Sequence, residues 1–333
     1  MGEVARLDRG GSPPLPAAVA AYLATLSGTE QHQTRRAYRS TLRALIAEFA
    51  PADPATGKPV PFAVEAFDAE ENVDHLTDWF GQQWNDRAAA TFNRHLDTIR
   101  SAVAYWQDQP GWLSADPTRR LRRRGRSPDR TRALSVAEIE ALFELDAPIR
   151  EKTLWRLLYE SAARSSEVLA LDVQDLDLRN RKAKVTRKGS AVDIIVWQTG
   201  TARLLPKLIN GRKKGPVFLT DRKARVALAA DLDPATGKAR LSYRRAEEIF
   251  TELTRPLAHP DITAPAELAA AQSWTLHQLR HSALTHAAES GANTSTLLSY
   301  SGHTSVTSLA RYARVSPEAL ARWQAKRDPD RRR

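Results

Sequence analysis

His277, Arg280, His303 and Tyr312 fall within one C-terminal stretch, preceded by an isolated Arg164 and by Lys188. These residue types suit an attack on a phosphodiester. That reaction needs a nucleophile, positive charge on the two non-bridging oxygens and a proton for the leaving oxygen. A phenol can attack, guanidiniums can hold the developing charge, and lysine or histidine can move protons. His277 and Arg280 are three residues apart, so on a helix they share a face and can converge on one anion. His303 follows Ser301-Gly302, a break that ends one helix and puts an imidazole at the start of the next segment. Tyr312 lies beside Arg311 and close to Arg314, an unusual setting for a core aromatic. Each residue also has a plain reading: helical His-x-x-Arg pairs are common, Lys188 beside Arg187 suits a solvated turn, and Tyr312 can pack as Tyr300 or Tyr243 can.

Composition sets the frame for that chemistry. With 333 residues, 42% of them apolar, the chain exceeds one comfortable core and points to two folded domains. Fifty lysines and arginines against 39 acids leave a net charge of +11, so double-stranded DNA or another extended polyanion is the expected partner. No apolar run approaches the roughly 18 residues of a membrane span, and no secretory leader pattern opens the chain. A cytoplasmic protein that does not engage membranes is expected. The absence of cysteine excludes disulfides, thiol nucleophiles and cysteine-ligated zinc. No phosphate-binding glycine loop, His-Glu-x-x-His pair or clustered acid set is present either, so neither a cofactor nor a metal is expected. His281 and His286 read as packing or surface histidines.

The elements that must position these residues are mostly helical. Residues 1–14 are rich in glycine and proline and read as a tail. From Leu15 to about Trp112 apolar residues recur at helical spacing, as in Tyr38, Leu42, Leu45, Ile46 and Phe49, with further helices at about 73–84 and 87–107. The turn-forming hexapeptide 53–58 recurs at 233–238, which predicts two similar loops and no repeat architecture. Residues 119–132 carry eight arginines against one aspartate and read as a linker able to lie along phosphates. Ser135 with Glu138 forms a capping-box signature, so a second domain opens there. Helices at 153–160 and 165–170 lead to a β-hairpin at 182–185 and 192–197 with Lys188 near its tip. Helices are then expected at 201–209 and 242–255, with an irregular stretch over 256–273. Ser316-Pro317 opens a last helix through Trp323.

His277-x-x-Arg280-His281-Ser282, Gly302-His303 and Tyr312 nine residues later resemble the C-terminal signature of the tyrosine recombinases, or phage integrase family. Ala162-Ala163-Arg164-Ser165-Ser166-Glu167-Val168-Leu169-Ala170-Leu171 is similar to the family's first arginine box, with Glu167 and Leu171 in their expected places, and Lys188 matches its hairpin lysine. The likeness is strong over roughly 134–326 and extends to 15–112 by helical character and domain order. It departs from the pattern in a long segment between Lys188 and His277, in Ala162-Ala163 where glycine is frequent, and in Tyr300-Ser301 before Gly302.

The resemblance implies a mainly α fold with a small β-sheet. A helical core-binding N-terminal domain at 15–115 and an Arg-rich linker at 116–132 would precede an α-rich tyrosine-recombinase catalytic domain at 133–326, with a basic tail at 327–333. It implies Tyr312 as nucleophile, Arg164 and Arg280 as the phosphate clamp, Lys188 as general acid, His277 as a proton-moving group and His303 as a hydrogen-bond donor to the phosphate. A homotetramer acting on two DNA sites, a simple core site without a separate arm-binding module, and accessory DNA-binding proteins complete the expectation. A type IB topoisomerase and a non-catalytic DNA-binding member of the family are its alternatives.

Overall fold

The computed structural model describes residues 11–26, 32–125, 133–187, 191–223, 231–303, 305–309, 312, 320–321 and 323–325. The chain divides into two compact units, Met1–Asp129 and Arg130–Arg333. No helix among the described residues is long and apolar enough to cross a membrane.

The first unit holds α1 (Leu15–Thr25), α2 (His32–Phe49), α3 (Glu70–Trp84) and α4 (Ala89–Gln107). Their apolar faces meet around Leu42, Phe67, Phe80, Leu96 and Trp106. Trp106 is fully buried, and its indole N–H donates to Ala18 O at 3.3 Å, which ties α4 to α1. Trp106→Ala is expected to cost about 3–5 kcal/mol of this unit's stability, read as an earlier transition in chemical denaturation of the full chain.

Two stretches expected to be free of the fold are partly attached to it. Ser12 Oγ donates to Trp112 O at 3.1 Å and accepts from Glu65 N at 2.9 Å, while residues 1–10 lie outside the described residues. In the arginine-rich run, Leu121 is buried, Arg119 and Arg120 pair with Glu70, and Arg123 pairs with Asp97 at 2.5 Å. Arg124 donates to Asn85 O at 2.7 Å, so these arginines serve the unit's own carboxylates and carbonyls. Residues 126–132 lie outside the described residues.

The second unit opens on α5 (Val136–Glu144) with the expected capping box, in which Glu138 N donates to Ser135 Oγ at 3.2 Å and Ser135 N to Glu138 Oε2 at 2.7 Å. At its centre α6 (Ile149–Ser161) buries Leu154, Trp155, Leu157 and Leu158 and packs on α8 (Thr199–Ile209) and α11 (Leu276–Glu289). Beside it α7 (Ser165–Leu169) leads to a three-stranded antiparallel sheet in the order β1 (Leu176–Asp177), β2 (Lys182–Thr186), β3 (Val192–Val196). The hairpin register runs from Lys182 opposite Val196 to Thr186 opposite Val192. A second ladder joins β4 (Leu219–Lys223) and β5 (Lys238–Arg240).

The repeated hexapeptide folds twice in the same way: Gly57 N donates to Asp53 O and Gly237 N to Asp233 O, with the ladder closed by Asp53 N to Lys58 O and Asp233 N to Lys238 O. The stretch 256–273 departs from expectation. Helix α9 (Tyr243–Ala258) runs through Pro256 in its last turn, and Pro265 starts a short α10 (Pro265–Ala270), because proline at the first helical position gives up no hydrogen bond. The last helix of the site, α12 (Thr294–Ser301), is capped by Asn293, whose Oδ1 accepts from Thr296 N at 2.8 Å. It ends at Gly302 in the left-handed conformation, φ 59°. Of the expected C-terminal helix, 320–321 and 323–325 are helical; its start lies outside the described residues.

Candidate active site

Arg280 is the centre of the site. It sits in the first half of α11, whose start is fixed by Thr275 N donating to Gln278 Oε1 at 2.8 Å, and only 3% of it is exposed. Its guanidinium donates from Nη1 to Ala162 O and from Nη2 to Ser301 O at 2.7 Å and His303 Nε2 at 3.1 Å. A guanidinium only donates, so Nε2 is the accepting nitrogen and neutral His303 carries its proton on Nδ1. The Ala162 carbonyl is aimed by an αL residue, φ 50°, that ends α6. A non-glycine residue in this conformation costs about 1–2 kcal/mol.

Burial first, then the neighbouring Arg164 and Arg187, push Arg280 down to about 10, while Glu167 and Tyr312 act in the opposite direction. It stays charged at neutral pH. The folded protein holds this proton less tightly than the unfolded chain, so below pH 10 the buried cation opposes folding and a bound anion offsets that cost.

Arg164 stands immediately before α7, with its side chain 39% exposed, and Nη1 donates to Glu167 Oε1 at 2.7 Å. Glu167 is buried, and its other oxygen accepts from Arg164 N at 3.0 Å and lies 3.8 Å from Arg187 Nη1. One carboxylate therefore sets both the backbone and the side chain of Arg164. His277 is exposed on the first turn of α11, one turn from Arg280.

Tyr312 is 4% exposed, with its ring among Ala162, Ala283, Leu284, Leu297 and Leu309. The His281 ring lies 5.2 Å away, centroid to centroid. Tyr300, a competing candidate, donates its hydroxyl to Tyr159 O at 3.1 Å and Glu160 O at 3.0 Å, and burial pushes its pKa well up. That hydroxyl is committed to the backbone. Tyr243 lies on α9 and is 48% exposed. His286 bonds the Tyr159 hydroxyl through Nδ1 at 2.8 Å, a packing role as expected. Lys188, Arg311 and Arg314 lie outside the described residues.

Of the residues singled out by type and spacing, the structure brings Arg280 and His303 into direct contact, sets Arg164 and Tyr312 within electrostatic reach of Arg280, and leaves His277 on the same helix as Arg280. Sequence reasoning passed over Arg187, while His281, read as a packing or surface histidine, packs on the Tyr312 ring. A signal for Arg187 was present: it continues the parity of the inward residues Ala183 and Val185 of β2, where an arginine must find buried partners.

The sequence profile of the phage integrase family matches residues 132–319. The chain is 27% identical over 270 residues to tyrosine recombinase XerD of Ralstonia nicotianae, spanning 80% of this chain and 82% of that protein. It is 28% identical over 319 residues to tyrosine recombinase XerC of Mycobacterium bovis, spanning 91% and 94%. It shares the fold of the Tn1549 transposon integrase solved in complex with circular intermediate DNA, with a TM-score of 0.60 and 17% identity over 95% of this chain and 99% of that one.

Proposed function

Because the chain belongs to the phage integrase family, we propose that it is a site-specific DNA recombinase that cuts and rejoins strands through a 3′-phosphotyrosyl intermediate. The observation that carries this reading is the Arg280 guanidinium, buried, held against His303 and flanked by Arg164, beside the tyrosine at the family's nucleophile position. It is a preformed cationic cradle for one phosphate, of the kind that stabilises charge developing in a transition state. The relatives named tyrosine recombinase, and the neighbour solved on DNA, support the same reading.

Tyr312 Oη attacks the scissile phosphorus and the phosphorus to O5′ bond breaks. Lys188 gives a proton to the leaving O5′, and His277 takes up the phenol proton. Arg164 and Arg280 hold the non-bridging oxygens, and His303, as the family resemblance implies, donates a hydrogen bond to the same group. The phosphotyrosyl bond conserves the energy of the diester, so a 5′-hydroxyl from a second duplex can reverse the step. Two such exchanges in a homotetramer on two sites, through a Holliday junction and with accessory DNA-binding proteins where a site demands them, complete recombination.

The test is to incubate the protein with fragmented host and element DNA, denature, and sequence the ends that remain covalently attached. Adducts at a discrete inverted repeat are expected. Scattered adducts with relaxation of a plasmid lacking that site would make it a topoisomerase, and DNA binding without any adduct would make it a binding-only member.

A further inference from the structure

Arg187 stands at the end of β2 with 8% of its side chain exposed, and a buried guanidinium without partners is costly. Its partners come from three different elements. Nη1 donates at 2.9 Å to Ser301 O, the carbonyl that also accepts from Arg280. The same nitrogen lies 3.8 Å from Glu167 Oε2, the carboxylate that holds Arg164. Nε lies 2.5 Å from Asp193 Oδ2 on β3, across the ladder from Val185. The guanidinium also covers the backbone of Gly302: a Cβ built there would stand 1.6 Å from Nη1, so glycine is required by contact as well as by its φ of 59°.

We propose that Arg187 is a positioning residue for the phosphate-binding groups, setting Arg164 through Glu167, Arg280 through the shared Ser301 carbonyl, and His303 through Gly302. The inference rests on the recombinase reading above. Arg187 is not placed on substrate; it fixes the supports of three groups that are. Two guanidiniums converging on one carbonyl repel each other, and Glu167 and Asp193 make the arrangement tenable. The Arg187 fork thus links the hairpin, the arginine box and the end of α12, elements far apart in sequence.

The test measures single-turnover adduct formation by the full-length protein on the duplex recovered in the trapping experiment, made with either an ordinary or a methylphosphonate linkage at the scissile position. Arg187→Gln is expected to slow adduct formation about 100-fold on the ordinary linkage, the scale of a displaced catalytic group, while DNA affinity stays within about threefold. On the methylphosphonate, which lacks one charged oxygen and so demands less of Arg164 and Arg280, the loss should shrink to about tenfold or less. Arg187→Lys, which keeps the charge without the fork, should fall between. If Arg187→Gln does not fold at the assay temperature, Arg187→Lys decides by the same two rates, since it keeps the charge while losing the fork. An equal loss on both linkages, or a rate within about threefold of the unaltered protein, overturns the positioning role. Failure of the unaltered protein to form any adduct instead refutes the recombinase reading.

Discussion

Replacing Tyr312 by phenylalanine is expected to lower covalent adduct formation at least about 10⁴-fold, to below detection on a denaturing gel, while DNA binding and folding persist. The physical reason lies in what each part of the side chain does. The ring is 4% exposed and packs on Leu284, Leu297, Leu309 and the His281 imidazole, contacts that phenylalanine keeps. Only the oxygen that would bond phosphorus is lost. The matched control is Tyr300→Phe: its hydroxyl donates to two backbone carbonyls at the end of α6, so its loss should cost about 1–3 kcal/mol of stability and leave adduct formation in place. Adducts from Tyr312→Phe at the wild-type rate would mean that another residue is the nucleophile. Gel-shift affinity and a thermal melt on the same preparations separate loss of chemistry from loss of fold.

Arg280→Lys should be nearly as damaging although it keeps the charge. The guanidinium serves Ala162 O, Ser301 O and His303 Nε2 at once, from nitrogens fixed in one plane. An ammonium is a point donor on a flexible stem and cannot reach all three while also facing a phosphate. Single-turnover cleavage is expected to fall about 10³-fold, with DNA affinity much less affected because most binding charge lies elsewhere on a chain of net +11. The environment adds to the effect: burial and Arg164 already push Arg280 down to about 10, and a lysine, with its lower starting value, would be pushed toward the neutral form in the same place. The lysine variant should therefore recover activity as pH falls through the range where its ammonium reforms, whereas the unaltered protein should not. A rate for Arg280→Lys within tenfold of wild type, or a pH profile unchanged by the substitution, would remove Arg280 from the clamp.

Local rules carried much of the architecture. Ser135 and Glu138 announced a helix start because two backbone and two side-chain atoms three residues apart satisfy one another. The hexapeptide at 53–58 and 233–238 folded alike because its aspartate, threonine and glycine close the turn from within. Gly302 ended a helix because a left-handed residue is needed there. The irregular stretch expected at 256–273 carries helix at two places, since α9 continues through Pro256 in its last turn and Pro265 starts a helix at its first position.

The residue types at Arg164, His277, Arg280, His303 and Tyr312, their order and the basic charge of the chain were decided by the sequence alone, because chemical competence resides in side chains and the family's motifs are short and local. Which of them touch was decided by tertiary structure. Ser301 O binds Arg280 and Arg187 across separations of 21 and 114 residues, and Ala162 O reaches Arg280 across 118. No periodicity encodes such pairs. Whether Arg187 is a solvated turn charge or a buried brace, and whether His281 faces water or Tyr312, depends on where α7, α11, α12 and the β2–β3 hairpin come to rest against one another. That placement follows from burial of Leu157, Leu158, Val168 and Leu279 in one core, a sum over many weak contacts that a linear reading cannot perform.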